Sequence, residues 1–328
     1  MLTATGTGCE RAEAATTLRA PAVLAVSGGA DSMVMASVLH AVGPEQLAAL
    51  ATFDHGTGAA ASEAVALVRE WGAARGIPVH VGRASQLPNR EAAWREARWR
   101  FLRSVSASLQ LPVATAHTED DQAETVFIRL LRHSGVRGLA GLLAPGPVLR
   151  PMLGWTRSEV SAFAKRDDVS FRDDPSNADL RFLRNRARLE MLPAIEHSVP
   201  GFRAWLLAVG TRASVWRRDV AAAVEEHWCP EIRPGGGEVH VRKVRGRIPA
   251  ADEAALFWPE VAGRVGVVLD RRGTARLASF TTKCASGMQM PLSGGARVTS
   301  SRTGWSLQRA RASLDSGGLA DRLAPPEQ

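Results

Sequence analysis

Residues 22–32 constrain this chain more than any other segment. Ala22-Val23-Leu24-Ala25-Val26 is an unbroken apolar run, and Ser27-Gly28-Gly29-Ala30-Asp31-Ser32 comes directly after it. A run without polar alternation reads as a strand buried on both faces, as in a parallel sheet. Glycines let the backbone turn sharply and approach a ligand. A helix opening near residue 32 then offers unpaired N–H groups and a partial positive charge. Such a turn suits phosphate, with the Ser27 and Ser32 hydroxyls as further donors. Asp31 is out of place beside an anion unless a cation lies between them, so it points to Mg2+ bridging to phosphate. An ordinary strand–turn–helix capped by Ser or Asp would use some of the same residues. The string is neither GxxxxGK(S/T) nor GxGxxG, which disfavours a Walker NTPase and a Rossmann dehydrogenase.

Further strands are expected at 47–53, 77–81 and 112–116, and helices at 32–42, 62–75, 91–109 and 120–133. This alternation predicts a parallel sheet with helices on both faces, where ligands bind beyond the carboxyl ends of the strands. With 328 residues, 45% of them hydrophobic, the chain can bury the core of one large domain or two. After about residue 150 the pattern changes. Residues 156–218 read as mainly helical and Arg-rich. Residues 229–238 hold two prolines and Gly235-Gly236-Gly237, which reads as a hinge or linker. Short strands are expected beyond it, at 239–244, 265–269, 296–299 and 304–308.

Several classes are excluded. No apolar run approaches the roughly 18 residues of a membrane span, and residues 1–20 lack the basic-then-apolar order of a secretory signal. The three cysteines, Cys9, Cys229 and Cys284, are too few and too scattered for a disulfide scaffold, a four-cysteine zinc site or a CxxC motif. A cytoplasmic location is the resulting default. The formal net charge is +8, and it is unevenly spread. Arg181, Arg184, Arg186, Arg188, Arg203, Arg212, Arg217 and Arg218 face only Glu190 and Glu196 between positions 181 and 218. Arg242, Lys243, Arg245 and Arg247 form a second cluster. A field of this sign attracts polyphosphates, nucleic acids among them. Arginine in place of lysine on solvated surfaces would produce the same excess, since the chain has only three lysines, Lys165, Lys243 and Lys283.

Ala116-His117-Thr118-Glu119-Asp120-Asp121-Gln122-Ala123-Glu124-Thr125 succeeds the fourth expected strand. Asp121 and Glu124 are three apart, so they are neighbours on a helix face away from Ala123, Val126, Phe127 and Leu130. Two close carboxylates can bind a cation, act as a base or grip an ammonium. They can also be a solvated first turn that complements the helix dipole.

SGGADS resembles the PP-loop of the ATP pyrophosphatases, whose motif is SGGxDS. Further strings sharpen the resemblance: DHG at 54–56, NREAAWREARWRFL at 89–102, AHTEDDQAETVFIRLLRHSGVRGLAGL at 116–142, RPML at 150–153 and FRDDPSNADLRFLRNRARLEMLP at 171–193. In order and spacing, residues 22–195 are similar to the tRNA(Ile)-lysidine synthase family. The resemblance implies an α/β fold. A parallel-sheet, adenine nucleotide alpha hydrolase-like (Rossmann-like) PP-loop domain would precede a helical segment and a smaller α+β C-terminal domain. The expected divisions are an extension at 1–20, the ATP-binding catalytic domain at 21–200, a helical linker at 201–234 and a tRNA-binding domain at 235–328.

The resemblance also implies a reaction. ATP adenylates the oxygen on carbon 2 of the wobble cytidine of a CAU-anticodon tRNA(Ile), and the ε-amine of free L-lysine then displaces AMP, switching decoding from AUG to AUA. It implies ATP with Mg2+ as cofactors and no membrane partner, with a homodimer left open. Ser27, Gly28, Gly29, Ala30, Asp31, Ser32, Asp54 and His55 match the nucleotide site, with Asp31 toward Mg2+. Asp121 and Glu124 match the positions that hold lysine. Asp31, Asp121 and Arg98 form the expected catalytic set. Arg95, Arg184, Arg186, Arg188, Arg242 and Arg245 are expected on tRNA, although Arg95 and Arg98 flanking Glu96 would also suit a salt-bridged helix face.

The chain departs from the family at four places. Thr118 stands where a second histidine is usual, His133 where a small residue or glycine is usual, Thr57 comes after DHG in place of Leu-Arg, and Trp99 replaces the family's Tyr. The SGG at 293–295 lacks the Asp-Ser that completes the motif and is not a second ATP loop. Two other readings compete. A 2-thiocytidine synthetase-like PP-loop enzyme is disfavoured by the missing CxxC pairs. A non-catalytic basic RNA-binding protein is disfavoured by the intact SGGADS.

Overall fold

The apolar runs pair side by side as parallel strands. The computed structural model describes residues 18, 20–56, 58–84, 91–243, 249–283 and 285–309. In it β1 (Ala22–Ala25), β2 (Leu47–Asp54), β3 (Val79–Arg83), β4 (Val113–Thr115) and β5 (Val148–Leu149) form one sheet. Their order is β3-β2-β1-β4-β5, and every pair is parallel. The chain therefore leaves β1 in one direction and, after β3, returns to its other side. That reversal is a topological switch point, where the loops after β1 and β4 diverge and leave a crevice at their carboxyl ends.

Helices α1 (Ala30–Val42), α2 (Ala59–Ala73), α3 (Glu91–Leu109) and α4 (Glu119–Leu131) make the connections, and α5 (Arg157–Arg166) comes after β5. Right-handed crossovers in this strand order carry α1 and α2 over one face and α3 and α4 over the other. α1 succeeds the central strand and buries Met33, Val34, Met35, Ala36, Val38 and Leu39. It shares a core with Leu24, Leu50, Val68, Met152, Trp155, Val160 and Phe163. Burial of side chains this large contributes roughly 1.5–3 kcal/mol each. On the other side, Val126 and Phe127 of α4 pack with Ala187, Leu192 and Leu206. Segment 183–198 is helical but widens into a π turn at Ala187–Met191. Pro193 stands at the start of the next helical stretch, and it has no N–H to continue the regular ladder.

The chain divides into two compact units, residues 1–214 and 215–328, and the division falls inside α6 (Phe202–Trp228). The second unit holds an antiparallel sheet of β6 (Glu231–Ile232), β7 (Glu238–Arg242), β8 (Gln289–Pro291), β9 (Arg297–Ser300) and β10 (Gly304–Gln308). Its order is β6-β7-β10-β9-β8. With it go α7 (Ala251–Gly263) and α8 (Arg271–Lys283), around Trp228, Trp258, Val261, Leu277 and Trp305.

The structure corrects two expectations. The three-glycine segment is not a linker but the hairpin turn between β6 and β7: Arg233 N–H donates to Glu238 O, and Gly235 and Gly236 have positive φ. Residues 265–269 are not a strand. They join α7 to α8 through turn hydrogen bonds, with Gly266 at φ 74° and Val265 and Val267 buried in the helix core. The SGG at 293–295 is a short turn between β8 and β9. Among the described residues no helix is long and apolar enough to cross a membrane. Cys229 is free and exposed; Cys9 and Cys284 lie outside the described residues.

The turn after β1 tolerates no side chain at its first glycine. Gly28 has φ 86°, and a Cβ there would lie 2.8 Å from the Ala64 carbonyl oxygen and 2.9 Å from the Ala64 Cβ. Gly28→Ala is expected to lower the unfolding free energy by about 1–3 kcal/mol. Chemical denaturation checks this; an unchanged midpoint contradicts the close approach of α2 to the turn.

Candidate active site

Ser27 through Ser32 close β1 and open α1. Ser32 Oγ donates to Gly29 O at 2.9 Å and accepts from Ser27 N–H at 3.1 Å. The two serine hydroxyls lie 3.2 Å apart. These bonds fold the turn into a cradle. Gly29 is the N-cap of α1 and no side chain caps the helix, so Ala30, Asp31 and Ser32 open it with amides turned toward any anion there. Gly28 O accepts from Arg172 N–H at 2.9 Å, which brings the start of the Asp173-Asp174-Pro175-Ser176-Asn177 segment against the loop. Asp54 is buried at the end of β2. It accepts from Gly56 N–H at 2.8 Å and from Ser62 Oγ at 3.5 Å, and lies 3.5 Å from Arg83.

On the next strand end, β4 delivers His117 and the start of α4. Thr118 caps the helix in a capping box. Its hydroxyl accepts from Asp121 N–H, and Asp121 Oδ2 accepts from Thr118 N–H at 2.9 Å. The departure from a second histidine thus has a structural use: Thr118 fixes the Asp121 carboxylate. Two arginines distant in sequence complete the cluster. Arg184 donates Nε to Glu124 Oε2 at 3.0 Å and Nη2 to Asp121 Oδ1 at 3.2 Å. Arg157 Nη1 reaches Glu124 Oε1 at 3.3 Å, and its Nη2 lies 3.7 Å from Asp121 Oδ1. The Arg157 amide also donates to Asp120 Oδ2 at 2.7 Å, and Arg203 pairs with the other oxygen of Asp120.

Burial and this crowd of charges set the protonation states. Burial, then Asp121, Asp120 and Glu124, push the Asp31 carboxyl up to about 6, against the pull of Arg157. Burial would also raise Asp121, but Arg184, the Thr118 amide and Arg157 outweigh it and hold Asp121 below the usual range. His117 is pushed down to about 3 by burial, with Arg184, Arg150 and Arg98 adding to it. It is therefore a neutral imidazole at pH 7, with Nδ1 2.8 Å from Thr115 Oγ1. His55 is lowered by burial and then by Arg98. Its ring lies against Phe53 and Trp94, and its buried Nδ1 has no hydrogen-bond partner.

The structure thus brings Ser27–Ser32, Asp121 and Glu124 to the switch point, with Asp54 and His55 at the neighbouring strand end and Arg98 on α3, whose charge acts on His55 and His117. Arg184, expected on tRNA, is engaged with the two carboxylates. Arg188 donates to Asn177 O and Arg186 is exposed. Arg188 lies in the π turn at Ala187–Met191, and Arg184 and Arg188 take different partners although they are four apart. Arg95 is half-buried on α3. Arg242 pairs with Glu231 within the second unit, and Arg245 lies outside the described residues, as does Thr57. Sequence reasoning missed Arg157, Asp120 and Arg203. The TxxE capping pattern Thr156-Arg157-Ser158-Glu159 was the one signal that marked the start of α5. Among the described residues no three His, Cys, Asp or Glu side chains are grouped to enclose a metal. A cation at Asp31 would need oxygens from a phosphate as well.

Residues 11–195 match the PP-loop domain family. The tRNA(Ile)-lysidine synthase of Salinispora tropica is 34% identical over 297 residues, covering 85% of this chain and 87% of that one. That of Thermus thermophilus is 38% identical over 192 residues, covering 55% of this chain and 36% of the other. Among solved structures, the U34-tRNA thiolase NcsA of Methanococcus maripaludis aligns with a TM-score of 0.53 at 16% identity, over 63% of this chain and 80% of that one. At that identity the likeness speaks for the fold alone. With its phosphate cradle facing an acidic helix start, a PP-loop match over more than half its length and a near full-length relative, this chain belongs to the tRNA(Ile)-lysidine synthases, the ATP-using ligases of the PP-loop class.

Proposed function

We propose that the chain joins free L-lysine to carbon 2 of the wobble cytidine of a CAU-anticodon tRNA(Ile), in the cytoplasm, at the expense of ATP. The cytosine O2 attacks the α-phosphorus and pyrophosphate leaves. The lysine ε-amine then attacks carbon 2, the C–O bond breaks, AMP departs, and the amine gives up its proton. The observation that carries this reading is the placement of an anion cradle and an acidic pair on adjacent strand ends, β1 and β4. One holds the triphosphate and the other an ammonium, with the reacting base between them.

The residues divide the work. Ser27, Gly28, Gly29 and Ser32 hold phosphate through amides and hydroxyls. Asp31 fits Mg2+ because its neighbours are carboxylates that disfavour its anion; bound there, Mg2+ would neutralise phosphate charge. Asp121 and Glu124 recruit lysine. Their four oxygens already accept from Thr118, Arg157 and Arg184, yet a carboxylate oxygen accepts about two hydrogen bonds, which leaves capacity for an ammonium. Neutral His117 adds no further ammonium-repelling charge beside the pair. Turnover measured as pyrophosphate release is expected to need both tRNA and lysine; sustained release with ATP alone contradicts the reading.

The charges give two expected outcomes. Below its pKa Asp31 is protonated and loses its hold on a cation. The acid limb of kcat/KM for ATP should therefore fall with an apparent pKa near the value of about 6, and should move to lower pH as Mg2+ is raised. A pH–rate series at two Mg2+ concentrations reads this, and a limb that ignores Mg2+ removes the ion from Asp31. By contrast, Asp121→Asn should raise KM for lysine about 10- to 100-fold, the cost of one charge-assisted bond, with KM for ATP changed far less. Equal effects on both substrates would take Asp121 out of the amine site.

A further inference from the structure

Arg150 lies outside the loop and the carboxylate pair proposed to hold ATP and lysine. It stands directly after β5, at the same carboxyl edge of the sheet as Ser27, Asp54 and His117. The side chain is half-buried. Its Nη1 donates to Val148 O at 3.3 Å, but its Nε–H is buried and has no acceptor. A buried charged donor without a partner is costly, and native structures rarely keep one without reason. The charges that bear on it are themselves guanidiniums: burial first, then Arg129 of α4 and Arg95 of α3, push it below the usual arginine range. Arg95 is half-buried on α3 and Arg129 also donates to Gly138 O, and both lie near enough for their charge to act on Arg150. Arg150 and Arg98 also bear on His117, so this spot borders the site.

We propose that Arg150, with Arg95 and Arg129, receives a phosphodiester of the tRNA strand beside the nucleotide being modified. The proposal rests on the reading of the chain as a tRNA-modifying enzyme. Phosphate is the matching class because a guanidinium fork presents parallel N–H groups to two oxygens of one anion. The triphosphate of ATP belongs to the loop after β1, and β5 lies two strands away, roughly 10 Å. A second, separate anion therefore fits the spot, and an RNA backbone supplies one at every nucleotide. A half-buried spot at a strand end admits a splayed single strand, such as an anticodon loop, better than the face of a duplex. Arg150 would then set which nucleotide of the loop reaches the site, as a positioning residue.

The test uses the full chain and CAU-anticodon tRNA(Ile). Arg150→Met keeps the stem and removes the charge; Arg150→Lys keeps the charge and loses the fork. Affinity for tRNA is measured across a salt series, and affinity for ATP without tRNA. Arg150→Met should weaken tRNA binding about 10-fold and reduce the slope of log K against log salt by about 1. Arg150→Lys should bind more weakly with its slope retained, and ATP affinity should stay unchanged in both. An unaltered slope and affinity in a folded Arg150→Met protein overturns the proposal. So does a loss of ATP affinity with an unaltered tRNA slope, which would assign the spot to the nucleotide. Should Arg150→Met fail to fold, Arg95→Met tests the same spot by the same slope. Lysidine formation by the unaltered protein separates the two claims. An inactive parent with the slope change intact sinks the enzyme reading and leaves Arg150 on RNA. An active parent with no slope change sinks Arg150 alone.

Discussion

The molecule depends on a balance of charge across the switch point of its parallel sheet. Asp31 projects from one strand end toward Asp120, Asp121 and Glu124 on the next, and burial brings four carboxylates into one another's field. Arg157, Arg184 and Arg203 answer three of them. Among these named groups one negative charge is in excess, and the Asp31 carboxyl is pushed upward. A buried charge is tolerated when paired and is costly when left alone. A site with this excess favours positive charge, and in the proposed reaction an ammonium and a phosphate-bound divalent cation would supply it. Fully paired carboxylates would leave no such demand.

Local chemistry holds this balance in place. The Thr118 capping box aims Asp121, and the backbone amide of Arg157 ties Asp120 to the start of α5. A second capping box, Thr156 with Glu159, fixes that start. Buried Gln122 bridges Ala140 O and the Leu142 amide, which holds the turn after α4. α4 and α5 are thus each pinned at their first turn. The glycine turn after β1 is pinned differently, by close backbone contact with α2 and by the Arg172 amide.

The sheet was legible where its strands were long and apolar. The strands expected at 22–26, 47–53 and 112–116 overlap β1, β2 and β4, because a parallel strand buried on both faces announces itself as an unbroken apolar run. β3 lies two residues beyond its expected span, since Pro78 stands inside the expected run and the apolar–polar pattern continues to Arg83. β5 has two residues, too few for any periodicity, and it carries Arg150 at its end. The motif residues were legible because a strand–turn–helix unit places its turn and first helical residues at the strand's carboxyl end. Their partners were not. Arg157 meets Glu124 across 33 positions and Arg184 across 60, and the sequence shows that arginines are present without showing which carboxylate each one meets. The same limit put Arg184 among the phosphate contacts. In the second unit, alternation at 265–269 looked like a strand because two buried valines flank a glycine, although both belong to a helix–helix core.

The most direct measurement of the central claim is the fate of labelled lysine. The full chain is incubated with ATP, Mg2+, radiolabelled L-lysine and a CAU-anticodon tRNA(Ile), and the RNA is digested to nucleosides. Label is expected in the modified wobble cytidine, and only when ATP is present. Label absent from the RNA, or found at another position, would contradict it.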